Sequence, residues 1–387
     1  MNITLEAYGN QVIAFNFAHL QKYLSQLPDT RSNRGKVYPL PLLLTYLLLA
    51  KLAGCDKPSA IASWVRERQA ALLPLWDSHH QRTPCLNTYR MILEEVVDAA
   101  RLAELFRRYL HESYGGQESE LVVLDGKTVR GTIPKGETQG VHLLAVYLPE
   151  EGIVLGQVEV GVKENEISAA AGVLREVPLK NRVVCADAMQ TQRKLSVEIL
   201  AKGGDYLWTA KDNQSTLRAD IEQFFQPPRV AKGWHIPDLP RWEAQTIDKG
   251  HGRIEVRHIT VIEDTDGFLD WPGVRQLFKL VRQVTHIRTH KTTMEVVYGL
   301  TSCTPQRASA RQLLDWNRAY WGIENGLHYR RDKTLQEDAT RFSLPKMPAV
   351  MVTINNFVIG LTLKLGYANL AEARRIFDWS VACQLNR

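Results

Sequence analysis

The alternation of apolar and polar residues divides the chain into parts with different periods. In the first 115 residues, apolar side chains recur every three or four positions, as in Leu20, Tyr23 and Leu24, and this spacing is typical of amphipathic helices. The apolar run that begins at Leu42 is shorter than the ~20 residues that a membrane-spanning helix needs. We therefore predict a helical N-terminal domain over residues 1–115, with a buried core helix and no membrane span.

Beyond residue 115 the apolar residues form short runs bounded by turn residues, which are typical of strands. In residues 116–226 a meander of three runs is followed by alternating helix and strand patterns, and this order predicts a mixed α/β sheet covered by helices. Residues 227–303 form a predicted β-rich insertion, and helices resume over residues 304–387. The predicted strands are 121–124, 142–148, 153–160, 182–186, 206–209, 241–248, 253–262, 278–287 and 292–300.

Two of the short apolar runs end in an aspartate. Asp125 follows the run 121–124, and Asp187 follows the run 182–186. Continuous apolar runs of this length predict strands that are buried on both faces. A carboxylate at the end of such a strand is costly to bury unless it is paired or binds a metal. Asp125 and Asp187 are therefore candidate metal ligands.

A third acid, Glu324, lies in a helical pattern that we predict to run from Arg311 to about Arg331. An apolar stripe on this helix comprises Leu313, Trp316, Tyr320, Ile323 and Leu327, and an adjoining polar stripe comprises Asn317, Glu324, His328 and Arg331. This geometry predicts that Arg331 shares a face with Glu324, where it could meet a phosphate or pair with Glu324. Three converging carboxylates would make a hard oxygen site for Mg²⁺ or Mn²⁺. The alternative for each acid taken alone is an ordinary surface carboxylate.

Composition adds less than the pattern does. Lys and Arg number 48 against 42 Asp and Glu, which gives a net charge of +6 and a pI near 9.0. This modest excess favours a polyanionic partner but does not establish one. The five cysteines form no C-x-x-C pair, so we expect reduced thiols in a cytoplasmic protein. Lys127 and Arg130, which follow Asp125, are expected either to reach a DNA phosphate or to lie in a solvated loop.

Several motifs resemble those of the DDE transposases of bacterial insertion sequences, most closely the H-repeat-associated group. The resemblance covers nearly the whole chain. The motifs are Arg34-Gly35-Lys36-Val37-Tyr38-Pro39, Asp125-Gly126-Lys127-Thr128-Val129-Arg130-Gly131, Asn165-Glu166-Ile167, Ala186-Asp187-Ala188-Met189, Lys211-Asp212-Asn213-Gln214, Gly250-His251-Gly252-Arg253 and Trp321-Gly322-Ile323-Glu324-Asn325-Gly326-Leu327-His328.

The resemblance implies a ribonuclease-H-like fold and two divalent metal ions, Mg²⁺ or Mn²⁺, held by Asp125, Asp187 and Glu324. It also implies that the enzyme cleaves and joins double-stranded DNA at element ends and target, as a homo-oligomer. Residues expected to bind DNA are Lys127, Arg130, Lys211, His328 and Arg331. The sequence departs from the wider superfamily near the glutamate, where a tyrosine, an arginine and a lysine are replaced by Asn317, Tyr320 and Arg331.

Two alternatives to a transposase remain open from the sequence. One is a metal-dependent nuclease with the same core and no strand-transfer step. The other is a domesticated DNA-binding protein that has lost catalysis. The presence of all three acids favours an enzyme over the second alternative.

Overall fold

A computed structural model describes residues 3–6, 12–15, 17–73, 82–115, 119–161, 165–226, 240–264, 267–342 and 344–385. The chain divides into two compact units, and the four predicted sequence segments stay a prediction. The first unit comprises Met1–Glu118, Gly126–Gly161 and Glu324–Arg387, and the second comprises Ser119–Asp125 and Val162–Ile323. The predicted start of the β-rich insertion, at residue 227, lies outside the described residues.

Twelve α-helices are described, and six of them lie before residue 115. They are α1 (Phe17–Leu24), α2 (Leu40–Leu52), α3 (Pro58–Glu67), α4 (Gln69–Leu72), α5 (Leu86–Met91), α6 (Ala99–Tyr114), α7 (Glu166–Glu176), α8 (Arg193–Ala201), α9 (Ser215–Gln223), α10 (Ala310–Tyr320), α11 (Met347–Lys364) and α12 (Leu370–Leu385).

Eleven strands are described among the same residues. They are β1 (Ile3–Glu6), β2 (Val12–Phe15), β3 (Leu121–Thr128), β4 (His142–Leu148), β5 (Ile153–Glu159), β6 (Val183–Ala186), β7 (Asp205–Ala210), β8 (Arg241–Gly250), β9 (Arg253–Glu263), β10 (Gln276–His286) and β11 (Thr292–Thr301). The β1–β2 pair, which is antiparallel, was not predicted from the sequence.

Nine of these strands form one mixed sheet in the order β5-β4-β3-β6-β7-β11-β10-β9-β8. The mixed α/β class predicted from the sequence is therefore confirmed. Strands β3, β6 and β7 run parallel, whereas β11 is antiparallel to β7. The four strands of the predicted insertion thus extend the sheet through β7.

Helix α11 lies in the core of the first unit. It is long and apolar enough to cross a membrane by length and composition, but 83% of it is buried inside the structure. Phe357 of α11 stacks on Phe106 of α6 with ring centroids 3.9 Å apart. Such burial is characteristic of a core helix. Helix α2, predicted as a core helix, is also buried along nearly its whole length.

Candidate active site

The structure brings Asp125 and Asp187 to the same edge of the sheet in the second unit. Strands β3 and β6 are parallel neighbours with Leu124 opposite Ala186, so the aspartate that follows each of these residues lies at the same level. Neighbouring strands are about 4.8 Å apart, which places the two acids side by side. Both are half-buried, and residues 121–124 and 183–186 before them are fully buried, as predicted. Asp187 follows the end of β6, but Asp125 lies within β3 rather than after it, because β3 continues to Thr128.

Burial raises the pKa of Asp187 above its usual range, and the negative charges of Glu166 and Asp125 raise it further. Two backbone N–H groups oppose this shift: those of Met189 and Gln190 donate to the Asp187 carboxylate at 3.0 and 3.3 Å. A carboxylate with a raised pKa beside another acid is a recognised sign of a functional site. A bound cation would relieve this repulsion.

Glu166 is a further acid that sequence reasoning left without a role, although it lies in one of the quoted motifs. It begins α7, and its carboxylate accepts a hydrogen bond of 3.1 Å from the side chain of Gln190. Gln190 itself is only 1% exposed. The sequence could have identified Glu166 by its position directly after Asn165. Asn165 caps α7, because its side chain accepts a hydrogen bond from the N–H of Ser168.

Lys211 emerges at the same sheet edge. It directly follows β7, which lies parallel to β6 with Leu207 opposite Cys185, and its side chain is exposed. The next turn is tied to the loop after Asp187, because the Asn213 amide donates to the carbonyl of Ala188 at 2.7 Å. Lys211 thus carries a positive charge at the same side of the sheet as the two aspartates, and its contact with DNA stays a prediction.

Glu324 belongs to the other unit, and the helix predicted around it is not a regular α-helix. Helix α10 ends at Tyr320, and the chain continues in two π-helical turns, Glu324–His328 and Arg330–Thr334. A π-helix closes i→i+5 hydrogen bonds, so it has more residues per turn than an α-helix. The prediction that Glu324 and Arg331 share one face is therefore wrong: Glu324 is exposed, whereas Arg331 is buried.

Arg331 is enclosed by a carboxylate rather than open to a phosphate. Its Nε and Nη2 atoms lie 3.0 and 2.7 Å from Oε1 of Glu337, and both side chains are at most 1% exposed. Asn355 of α11 donates to the second oxygen of Glu337 at 2.9 Å. This placement does not support Arg331 as a DNA contact. His328, the neighbouring candidate, is also buried, at 5% exposure.

The two basic residues after Asp125 are also held by acids of the first unit. The Lys127 ammonium lies 2.7 Å from Asp332 and 3.2 Å from Asp338, and its side chain is 10% exposed. Asp338 also accepts from the backbone N–H of Arg130. The Arg130 side chain is 78% exposed and can reach solvent. Lys127 therefore ties this unit together, while Arg130 remains available to a partner.

Carboxylate oxygens are the ligands that Mg²⁺ and Mn²⁺ prefer, and Asp125 with Asp187 supplies two such groups. Among the described residues, no group of three or more His, Cys, Asp or Glu side chains is arranged to hold a metal ion. The donor chemistry at the sheet edge fits a hard divalent cation, and the complete ligand set stays a prediction.

Comparisons with known proteins agree on one family. The family model described as "Transposase DDE domain" matches residues 116–346, and the model "DDE_Tnp_1-associated" matches residues 21–110. The "Putative transposase YncI" of Escherichia coli O157:H7 is 29% identical over 350 residues, which cover 88% of this chain and 86% of the relative. The "H repeat-associated putative transposase YhhI" of E. coli K12 is 25% identical over 82% of this chain and 83% of its own.

Among solved structures, the chain is similar to a piggyBac transposase synaptic complex with hairpin DNA. Its TM-score is 0.44 at 8% sequence identity, and the match covers 95% of this chain and 78% of that one.

Proposed function

Because the chain belongs to the family of DDE transposases, in its H-repeat-associated group, we propose that it cuts the ends of a mobile DNA element and joins them to target DNA. The observation that carries this proposal is the pair of aspartates at the same level of two neighbouring parallel strands, one of which has a raised pKa. We assign the catalytic roles to Asp125, Asp187 and Glu324.

The proposed reaction has two steps. In the first, water adds to a phosphorus atom at the element end, and the bond to the 3′-oxygen breaks, which leaves a free 3′-hydroxyl and a 5′-phosphate. In the second, that 3′-hydroxyl oxygen bonds to a target phosphorus, and a target 3′-hydroxyl leaves. Two divalent ions, Mg²⁺ or Mn²⁺, would supply an activated water and charge stabilisation for such displacements.

The chain's own groups contribute position and charge. Asp125 and Asp187 would hold the cations through oxygens that strand β3 and the end of β6 fix in place. The backbone N–H groups of Met189 and Gln190 orient the Asp187 carboxylate. Lys211 and Arg130 offer exposed positive charge for phosphates, since a cation near a scissile phosphate offsets its charge.

A ribonuclease-H-like core is part of this proposal. The order β5-β4-β3-β6-β7 supports it. Strand β3, which comes first along the chain, is central in this order. The antiparallel pair β4 and β5 lies on one side of it, and the parallel strands β6 and β7 lie on the other. Double-stranded DNA as partner, a homo-oligomer on that DNA and a cytoplasmic location belong to the same proposal.

The decisive experiment measures cleavage and joining of a duplex that carries the element's ends, in Mg²⁺ and in Mn²⁺. We expect Asp125→Asn, Asp187→Asn and Glu324→Gln each to abolish cleavage while DNA binding stays near normal. Asp315→Asn is the matched control, because Asp315 forms an exposed ion pair with Arg311 on α10.

Cleavage by Asp125→Asn at the wild-type rate would overturn the catalytic assignment. Cleavage without joining by the wild-type protein would instead identify a metal-dependent nuclease. Binding with no cleavage in either metal would identify a catalytically silent DNA-binding protein.

A further inference from the structure

Two turns lie side by side at one end of the sheet in the second unit. One joins β8 to β9 and the other joins β10 to β11, while β9 and β10 are paired neighbours. The backbone N–H of Ile287 in the second turn donates to the carbonyl of Gly252 in the first at 2.9 Å. The two turns therefore form one continuous surface, which we call the basic tip.

The backbone of the basic tip is tightly specified. His251 and Gly252 have φ values of 49° and 71° between the paired residues Gly250 and Arg253, as in a two-residue hairpin loop of type I′. His290 has a φ of 52°, and its N–H donates to the carbonyl of His286 at 2.8 Å. A positive φ is uncommon outside glycine, and such conformations are concentrated at functional positions.

The side chains of the basic tip carry a concentrated positive charge. Neither turn contains an acidic residue: residues 249–254 read Lys-Gly-His-Gly-Arg-Ile, and residues 286–292 read His-Ile-Arg-Thr-His-Lys-Thr. All the basic and histidine side chains of these turns are exposed, namely Lys249, His251, Arg253, His286, Arg288, His290 and Lys291.

The nearest acids along these strands are bound to other arginines. Glu255 accepts from Arg282 and lies 2.7 Å from Arg257. Asp248 lies 3.0 Å from Arg257 and 2.8 Å from Arg318. Because these carboxylates already have cationic partners, they leave most of the charge of the tip uncompensated.

A third acid, Glu295, lies 3.5 Å from Arg282. Among the described residues, Arg253 is the one cation of the tip with an acid within ion-pair distance, Glu255 at 3.9 Å. The lysines and Arg288 of the tip therefore remain the groups best placed to attract an external anion.

We propose that the basic tip binds the sugar-phosphate backbone of double-stranded DNA. Four adjacent strands span about 14 Å from the first to the last, at about 4.8 Å per spacing, which is close to the ~12 Å width of the DNA major groove. The tip can therefore face phosphates of both strands across that groove. This inference deepens the proposed function, on which it rests, by assigning a phosphate-binding surface away from the acids.

The test compares binding of a labelled random-sequence DNA duplex at several salt concentrations. The variant is the triple change Lys249→Ala, Arg288→Ala and Lys291→Ala. Each lost phosphate contact lowers the salt dependence of log K by about 0.9, so we expect the slope to fall by roughly 2 to 3 and affinity to fall at least tenfold at low salt. Arg253 is left in place because of its contact with Glu255.

The matched control removes the same charge from exposed positions elsewhere in the unit, through Lys180→Ala, Lys194→Ala and Arg311→Ala. It should keep the wild-type slope. If both triple variants lose the same DNA affinity, the effect is one of net charge and the inference is overturned. Wild-type affinity of the tip variant would also overturn it. So would a preference of the wild-type protein for single-stranded RNA over duplex DNA.

The two proposals fail in distinguishable ways. If the tip variant binds and cleaves as the wild-type protein does, the inference is overturned and the proposed function stands. If the wild-type protein binds no duplex at low salt, both are overturned.

Discussion

Arg331 and Glu337 form an ion pair inside the first unit through two nitrogens of the guanidinium, and both side chains are at most 1% exposed. The backbone supports the pair, because the N–H of Glu337 donates to the carbonyl of Arg331 at 2.9 Å. Asn355 completes the arrangement from α11. The sequence predicted that Arg331 contacts a phosphate. In the structure Arg331 instead pairs with Glu337, and Asn355 links this pair to the core helix α11.

Removal of this arginine should destabilise the protein. Arg331→Ala leaves Glu337 buried without its cation, and breaking a buried pair in this way costs about 3–5 kcal/mol. Urea unfolding of the metal-free protein measures the loss. Arg130→Ala, which removes a largely exposed guanidinium, should change stability by less than about 0.5 kcal/mol. Unchanged stability of Arg331→Ala together with lost DNA binding would restore the phosphate-contact hypothesis.

The ion pair between Arg331 and Glu337 should make the stability of the protein depend on pH. Burial alone would raise the pKa of Glu337, but the charge and hydrogen bonds of Arg331 and the Asn355 amide hold it below its usual value of 4.5. A lowered folded-state pKa stabilises the protein above the unfolded value, and this stabilisation is lost as pH falls through the folded value. The free energy of unfolding should therefore decline below about pH 4.5, and less steeply in Glu337→Gln. Parallel pH profiles for the two proteins would contradict this prediction.

Asp187 should show the opposite relation between charge and stability. Its pKa is raised by burial and by neighbouring acids, so its ionised form is disfavoured in the folded state at neutral pH. Asp187→Asn removes that charge and retains an oxygen for the two backbone donors. In metal-free buffer at pH 7 we expect a higher unfolding midpoint than wild type, together with loss of cleavage. Asp315→Asn is the control, and a lower midpoint for Asp187→Asn would contradict the electrostatic explanation.

Gly131 should tolerate no side chain. A Cβ built on it would lie 2.0 Å from the carbonyl oxygen of Thr340, and its own carbonyl accepts from Phe342 N–H. Because the clash is with backbone, Gly131→Ala should destabilise by about 1–3 kcal/mol. Gly172→Ala in α7 is the matched control: nothing lies within 4 Å of its added Cβ, so a gain of about 0.5–1 kcal/mol is expected. Thermal unfolding measures the stability of both variants. A Gly131→Ala protein as stable as the wild type would contradict the predicted clash.

Local patterns were sufficient to predict most of the sheet. Residues 121–124 before Asp125 and 183–186 before Asp187 are apolar at every position, and period-two alternation marks β8 to β11, so each strand could be found without knowledge of its partners. The pairing of β11 with β7 could not be found in this way, because hydrogen bonds between distant strands leave little trace in either strand's own sequence. The sequence therefore predicted the four strands of the insertion but not that they extend the sheet.

The environment of the candidate site was harder to predict than its acids. Helical-wheel reasoning assumes 3.6 residues per turn, and that assumption fails where Glu324 and Arg331 occupy π-helical turns. It also cannot reveal which distant acid meets a basic residue, as Asp332 and Asp338 meet Lys127. Sequence reasoning therefore assigns basic residues near the candidate acids to DNA more readily than their partners justify.

The pairing of β11 with β7 bears on how this protein can be shortened. Four residues of β7, Leu207 to Ala210, face β11 along one side, and excising residues 241–301 would leave that side with unpaired N–H and C=O groups. A bare strand edge of this kind recruits other chains and promotes aggregation. A deletion that aggregates would thus report a broken sheet rather than a lost activity, and the strands after β7 are better altered by point substitutions than by truncation.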